Sequence, residues 1–265
     1  MPSLSLVLPA YNEEENLVEA VQQAQPHLDA ITPGWEIVVV NDGSTDATGA
    51  LADGLALESG GRIRVVHLTP NGGLGAALRA GFAAARGDVL VYCDSDLPFD
   101  MVALTRAHAL LEETGADIVT GYRTNRETEG LRRHLYSAAY NALARTLFGL
   151  KVRDVNFSLK MFRRTVAEHI GLASRGSFID VEFLARAHGA RFRIAQLGVV
   201  YTPRTRGVST LARPSVIVGI LNEMQRYVRG RLEPAGPLAA SPPSGDSLPS
   251  PSVTVVLPTL ATVLP

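Results

Sequence analysis

The 265-residue chain is long enough for one large domain or one domain with an appendage, and no apolar run approaches the roughly 18 to 20 residues that cross a bilayer. Its single cysteine, Cys93, rules out an internal disulfide framework and, lying in an apolar run, reads as a small buried hydrophobe. The formal net charge of -1 hides an asymmetry: residues 1–120 carry 17 acidic and 5 basic side chains, and residues 121–231 carry 20 basic and 7 acidic. The second half therefore either meets an anionic partner or complements the first half. Nucleic acid does not fit well, because the basic residues are spread between structural segments and no nucleic-acid module is present.

The opening "MPSLSLVLPAYNEEENL" has no basic leader and runs straight into acidic residues, so a secretory signal is rejected and cytoplasmic residence is the plain expectation. Ser3–Pro9 reads as a first strand and Leu17–Leu28 as a helix. Glu36–Val40, "EIVVV", is a strand of the β-branched kind expected when both faces are buried. The turn-rich "NDGSTD" follows, then a helix over Thr45–Leu57 and a strand over Ile63–Leu68. "TPNGGLG" is a loop before an alanine-rich helix, Ala76–Ala85. Asp88–Cys93 is a fourth strand, Met101–Glu113 a helix and Asp117–Thr120 a short strand. This strand–loop–helix rhythm predicts an α/β fold: a mostly parallel central sheet with helices on both faces.

From residue 121 the rhythm changes. "GYRTNRETEGLRRH" is polar and basic. Leu131–Phe148 reads as a helix with Tyr136, Tyr140, Leu143 and Leu147 near one stripe. "LKMF" (159–162) and "RFRIAQLGV" (191–199) read as strands, and Ser177–Ala187 as a helix. Pro214–Val228 is an amphipathic helix with Ile217, Ile220, Leu221, Met224 and Val228 on one side and arginines at its end. Residues 233–252 are rich in proline and serine and read as disordered. The last stretch, "VTVVLPTLATVLP", is either an added edge strand or a loose tail.

Ligands of parallel α/β sheets sit beyond the C-terminal strand ends. Four such ends carry polar clusters: Tyr11–Glu13, Asn41–Asp46, Asn71–Gly75 and Asp94–Asp96. Any α/β domain needs polar turns, so each cluster alone says little; together they outline one cleft. Asp94 and Asp96 end a hydrophobic strand, and two close carboxylates repel unless a cation or a proton joins them. Mg²⁺ or Mn²⁺ suits oxygen ligands and is commonly completed by substrate phosphates. The plainer reading is a strand cap at Asp94 and a turn at Asp96. "NGGLGAALRAGF" lacks the lysine of a phosphate loop and is not a dinucleotide fingerprint; its glycines suit close backbone approach at a helix start. His67, in the strand before it, reads as structural.

Seven blocks in order now resemble a known family: "LPAYNEEENL", "VVVNDGSTDAT", "NGGLGAALRAGF", "VYCDSDLPFD", "GLKVRDVNFSLKMFRR", "FIDVEFLARAHG" and "YTPRTRGVST". Spanning about residues 3–229, they are similar to the inverting glycosyltransferases of GT-A family 2, close to the dolichyl- and polyprenyl-phosphate mannose or glucose synthases. The resemblance implies a GT-A fold, with a nucleotide-sugar half (1–120), an acceptor half (121–231) and a tail (232–265). It implies a GDP- or UDP-hexose donor, Mg²⁺ or Mn²⁺ on Asp94 and Asp96, and donor contacts from Pro9, Tyr11, Glu13, Asp42, Gly43, Asn71, Gly75, Asp94 and Ser95. Asn41 stands where the family usually has an aspartate. Arg123, Asp154, Arg204 and Ser209 fall at acceptor- or phosphate-side positions, with Asp96, Glu182 and Arg204 as catalytic candidates. Glu182, with Asp180 behind it, is the candidate base for a hydroxyl acceptor, against a plain helix-start reading for both. A polyprenyl phosphate acceptor is already ionised and needs no strong base. The 214–231 segment either lies on a membrane surface or packs on the core. A saccharide or soluble acceptor, a nucleotidyltransferase and a non-catalytic sugar-binding module remain as alternatives.

Overall fold

In a computed structural model, described for residues 4–96, 99–125, 131–202, 214–230, 232 and 253–256, one eight-stranded sheet organises the chain. Its strands are β1 (Leu4–Ala10), β2 (Trp35–Asn41), β3 (Ile63–His67), β4 (Val89–Tyr92), β5 (Ile118–Arg123), β6 (Lys160–Arg163), β7 (Ile194–Val199) and β8 (Val253–Val256). Its helices are α1 (Leu17–Ile31), α2 (Thr48–Glu58), α3 (Leu74–Ala84), α4 (Val102–Thr114), α5 (Leu131–Phe148), α6 (Arg164–His169), α7 (Ile179–Gly189) and α8 (Pro214–Val228). The strand order is β3-β2-β1-β4-β6-β5-β7-β8. All pairings are parallel except those of β6, which runs antiparallel to both β4 and β5.

The sequence of each strand explains its place. β1 and β2 are buried along nearly their whole length, as strands covered on both faces must be. Alternate residues feed two separate cores. Leu6, Leu8, Ile37 and Val39 join α1, α2 and α4 on one face. Val7, Val38 and Val40 join α3, α5, α6, α7 and α8 on the other. The chain leaves β1 for β2 and β3 on one side and returns to β4 on the other, so a switch in strand order falls between β1 and β4.

Most of the expected elements are present, with displaced ends. α2 begins at Thr48 rather than Thr45, because side chains take the preceding amides: Ser44 N–H donates to Asn41 Oδ1 (3.1 Å), Thr45 N–H to Asn12 Oδ1 (2.8 Å) and Thr48 N–H to Asp46 Oδ1 (3.0 Å). β5 extends to Arg123 because β7 supplies a parallel partner as far as Val199. The six-residue α6 is too short to show a period in sequence. On α5 the inward side chains are Tyr140, Ala144 and Phe148, whereas Leu143 and Leu147 are exposed. On α8, Ile220 and Met224 are buried, while Ile217, Leu221 and Val228 are exposed together with Val218. In the last stretch, Val253–Val256 pairs in parallel with β7, which is the edge-strand alternative for that stretch; residues 233–252 and 257–265 lie outside the described residues.

β6 contributes a fully buried lysine. Lys160 Nζ donates to Asp180 Oδ1 (2.5 Å) and to the Phe157 carbonyl (2.8 Å), and lies 5.3 Å from the Tyr92 ring centre. Removing one member of a buried pair strands the other charge, which costs about 3–5 kcal/mol. Lys160→Met is therefore expected to lower the urea midpoint by a corresponding amount. Pairing it with Asp180→Leu should recover part of the loss in the same denaturation series.

Candidate active site

The carboxyl ends of β1, β2 and β4 meet at the switch in strand order. Cys93 N–H donates to the Val7 carbonyl (3.4 Å), and Ser95 Oγ donates to the Pro9 carbonyl (3.2 Å). The turn holding Asp94, Ser95 and Asp96 is thereby fastened to the end of β1. Burial raises the Cys93 thiol well above its ordinary value, and the negative charges of Asp94 and Asp96 raise it further. Asp94 and Asp96 flank Ser95 directly after β4, while Cys93 itself packs in the core, as expected. Both aspartates are half-buried at the edge of the cleft. Two hard oxygen donors, without thiolate or imidazole, suit Mg²⁺ or Mn²⁺ completed by phosphate oxygens and water. Among the described residues no group of three or more His, Cys, Asp or Glu converges as a complete protein cage, which such a shared site does not require.

A second wall is the loop before α3. Asp42, at the end of β2, accepts from Gly72 N–H (2.7 Å) on one oxygen and from Gly73 N–H (2.9 Å) on the other; Asn71 donates to the Asp42 carbonyl (2.8 Å). Asp42 is 4% exposed, so its carboxylate is spent on shaping this loop. Gly43 has φ +70° and a Cβ there would lie 2.7 Å from the Asn71 amide nitrogen. Asn41 is likewise turned inward, bonded to the Ser44 amide and to His67 Nδ1 (3.0 Å); His67 Nε2 reaches Asp53 (3.0 Å). Where the family usually has an aspartate, Asn41 starts an Asn41–His67–Asp53 chain that runs outward from the buried asparagine to an exposed His67 and Asp53. Tyr11 stands exposed at the rim, and Glu13 accepts from Asn16 (2.7 Å) and donates its amide to Thr48 Oγ1 (2.8 Å).

The third wall is the 173–176 loop with α7. Glu182 is fully buried, and its carboxylate accepts from the amides of Ala173 and Ser174 and from Arg186 Nε (2.7 Å). Glu182, the candidate base for a hydroxyl acceptor, thus spends its carboxylate here on loop amides and Arg186, with no exposure to solvent. Asp180 is also internal, held by Lys160 and by the Tyr92 hydroxyl. Burial and the Asp180 carboxylate together push the Tyr92 phenol well above its ordinary range, with Asp94 adding to the effect.

The family model for glycosyl transferase family 2 matches residues 5–171. The chain belongs to this family. It is 35% identical over 246 residues to the polyprenol monophosphomannose synthase of Mycolicibacterium smegmatis, covering 87% of this chain and 89% of that protein. It is 31% identical to a dodecaprenyl-phosphate galacturonate synthase of Rhizobium johnstonii, over 78% of this chain and 61% of the relative. Among solved structures, glucosyl-3-phosphoglycerate synthase of Mycobacterium tuberculosis with Mn²⁺, UDP-glucose and phosphoglyceric acid aligns with TM-score 0.61 at 25% identity, covering 84% of this chain and 80% of that one. The same enzyme with UDP aligns at 0.59 and 27% identity. The GT-A fold and a glycosyltransferase identity follow from these matches together.

The acceptor-side candidates of this glycosyltransferase divide. Arg123 binds Asp154 in a two-pronged pair, Nε to Oδ2 at 2.8 Å and Nη2 to Oδ1 at 3.3 Å, with both side chains almost fully buried. Asp154 orients Arg123, as a neighbour of acceptor-side residues would, but the paired edge of the guanidinium is not offered to a phosphate. A further contact, 5.6 Å to the Tyr201 ring centre, ties β5 to the bridge between Phe99 and Tyr201. Arg204 and Ser209 lie outside the described residues. Sequence reasoning missed Tyr92 and Lys160, the partners of Asp180. A lysine inside the apolar "LKMF" was the available signal for one of them, since a buried ammonium demands a buried partner.

Gly73 and Gly75 press directly on the 173–176 loop. Gly73 has φ +85° and its Cβ would lie 2.5 Å from the Arg175 carbonyl oxygen; a Cβ on Gly75 would strike the Ser174 carbonyl. Gly75→Ala, although favourable to an isolated helix, is expected to cost about 1–3 kcal/mol by forcing backbone apart. A urea titration reads the loss directly.

Proposed function

We propose that the chain transfers a hexose, with inversion, from a GDP- or UDP-sugar to a phosphate-bearing acceptor, and that this acceptor is a polyprenyl phosphate. The observation that carries the reading is the Asp94–Ser95–Asp96 turn fastened to Pro9 at the switch in strand order. Asp94 and Asp96 would hold Mg²⁺ or Mn²⁺, which supplies positive charge to the departing diphosphate. Asp42 holds the Gly72 and Gly73 amides and so shapes the Asn71–Gly75 loop that leads into α3 beside the strand ends. Pro9, Tyr11, Glu13, Gly43 and Ser95 line the donor side of the same cleft. An ionised acceptor phosphate attacks without losing a proton to the protein, in keeping with a buried Glu182 whose carboxylate is bonded to loop amides and Arg186. Arg204 and Ser209 are assigned to phosphate by the family resemblance alone.

The polyprenyl reading rests on sequence relatives, two of which, at 35% and 31% identity, carry polyprenol or dodecaprenyl phosphate in their names. Helix α8 adds to it. Ile217, Val218, Leu221 and Val228 lie exposed beside its buried stripe, with Arg226 and Arg229 following round the helix. Such a face suits the boundary of an anionic bilayer. No helix among the described residues is long and apolar enough to cross a membrane. A second reading, a soluble phosphorylated acceptor, is favoured by the likeness to a synthase solved with phosphoglyceric acid.

Purified protein with Mn²⁺ or Mg²⁺, a panel of GDP- and UDP-sugars and either short-chain polyprenyl phosphate or phosphoglyceric acid separates these readings. Nucleoside diphosphate release that requires the lipid phosphate supports the first; release with the soluble acceptor alone replaces it by the second. Asp96→Asn should lower the turnover about a hundredfold or more, because a charge facing the leaving group is lost. Leu221→Glu is expected to cut co-sedimentation with anionic vesicles by roughly tenfold while leaving UDP or GDP binding unchanged.

A further inference from the structure

We propose that Glu223, on helix α8, is a positioning residue for the nucleotide site, acting through the 173–176 loop on the first turn of α3. The inference rests on the donor reading given above. Four successive amides of that loop are taken by two carboxylates. Glu182 accepts from Ala173 and Ser174, and Glu223 Oε1 accepts from Arg175 (2.8 Å) and Gly176 (3.2 Å). The loop's carbonyls face the opposite way. Arg79 donates to the Ser174 carbonyl, and Gly75 N–H, in the first turn of α3, donates to the Arg175 carbonyl at 2.8 Å. Arg175 is thus gripped on its N–H by α8 and on its carbonyl by α3.

The contact extends to the cleft without a gap. Gly73 and Gly75 have no Cβ exactly where the Arg175 and Ser174 carbonyls press on them, and Asp42 holds the Gly72 and Gly73 amides from the far side. The first turn of α3 is therefore clamped between Asp42 and a loop whose own position depends on Glu223. The other Glu223 oxygen, Oε2, is buried without a hydrogen-bond partner. Glu223 as a whole is half-buried, and leaving its enclosed Oε2 unbonded carries a cost that the two amides held by Oε1 offset.

Charge and geometry predict opposite signs. An anion near a diphosphate site weakens nucleotide binding by Coulomb repulsion, so losing Glu223 would tighten binding if charge alone mattered. Loss of the loop's acceptor would instead weaken it. UDP and GDP binding with Mn²⁺ are titrated calorimetrically on the full chain without lipid, alongside thermal unfolding. Glu223→Gln, which keeps an oxygen acceptor, should bind within about threefold of the parent, and Glu223→Ala about tenfold more weakly. Equal or tighter binding by a folded Ala variant overturns the proposal, as does an equal loss in both variants. If the Ala variant does not fold, Glu223→Asp decides, since it keeps the charge and withdraws the oxygen by one methylene: weaker binding supports the proposal and unchanged binding overturns it. Failure of the parent protein to bind either nucleotide overturns the donor reading and the proposal with it.

Discussion

A buried carboxylate must be met by donors, and α7 buries two of them two residues apart, Asp180 and Glu182. Asp180 is met by Lys160 and the Tyr92 hydroxyl; Glu182 is met by two loop amides and Arg186. Each set of donors comes from a different part of the chain. Tyr92 ends β4 two residues before Asp94, and Lys160 sits opposite it in β6. Ala173 and Ser174 belong to the loop that carries the glycines of α3. One helix therefore fixes both the strand end bearing the aspartates and the loop facing them. The desolvation cost of the acids makes these positions strict, because any displacement leaves a charge unpaired in a low-dielectric interior.

The two cores add the apolar part of this constraint. Since β1, β2 and β4 alternate their side chains between layers, neither layer can slip in register without exposing the other. The polar cleft opens only at the strand ends, where backbone groups have left the sheet and turn residues satisfy them. Asp42, Asn12, Asp46 and Asn41 all act there through local amides. Much of the polarity that marks the site in sequence is thus spent on holding loops. Asp94 and Asp96 differ, standing partly exposed at the edge of the cleft.

Membership of glycosyl transferase family 2 and the GT-A fold agree with this architecture. The relatives differ in what their names carry: two of the sequence relatives name a polyprenol or dodecaprenyl phosphate, and the solved neighbour holds a phosphorylated small acid. Both acceptor kinds bear a phosphate. The excess of basic residues in the second half suits either, and the face of α8 is what distinguishes them physically. That helix carries an exposed apolar arc on one side and, on another, the Glu223 carboxylate bonded to the 173–176 loop.

The sequence by itself determined the strand–helix rhythm of the first 120 residues, the cleft at the strand ends, and Asp94 and Asp96 within it. These signals are local: periodicity, turn chemistry and the sudden end of an apolar strand in acids. It also determined the family, through seven blocks in order. Tertiary structure alone decided the antiparallel insertion of β6, the parallel pairing of β8, and the roles of the buried acids. Glu182 reads in sequence as a first-turn acid and a candidate base; only the approach of residues 173–174 and Arg186 makes it an internal fastener. Arg123 and Asp154 are 31 positions apart and find each other only in the fold. Glu223 looks like one polar residue on an amphipathic helix until the loop beneath it is in place. Long-range partners leave no period in the chain, because the energy that selects them comes from burial and pairing in three dimensions.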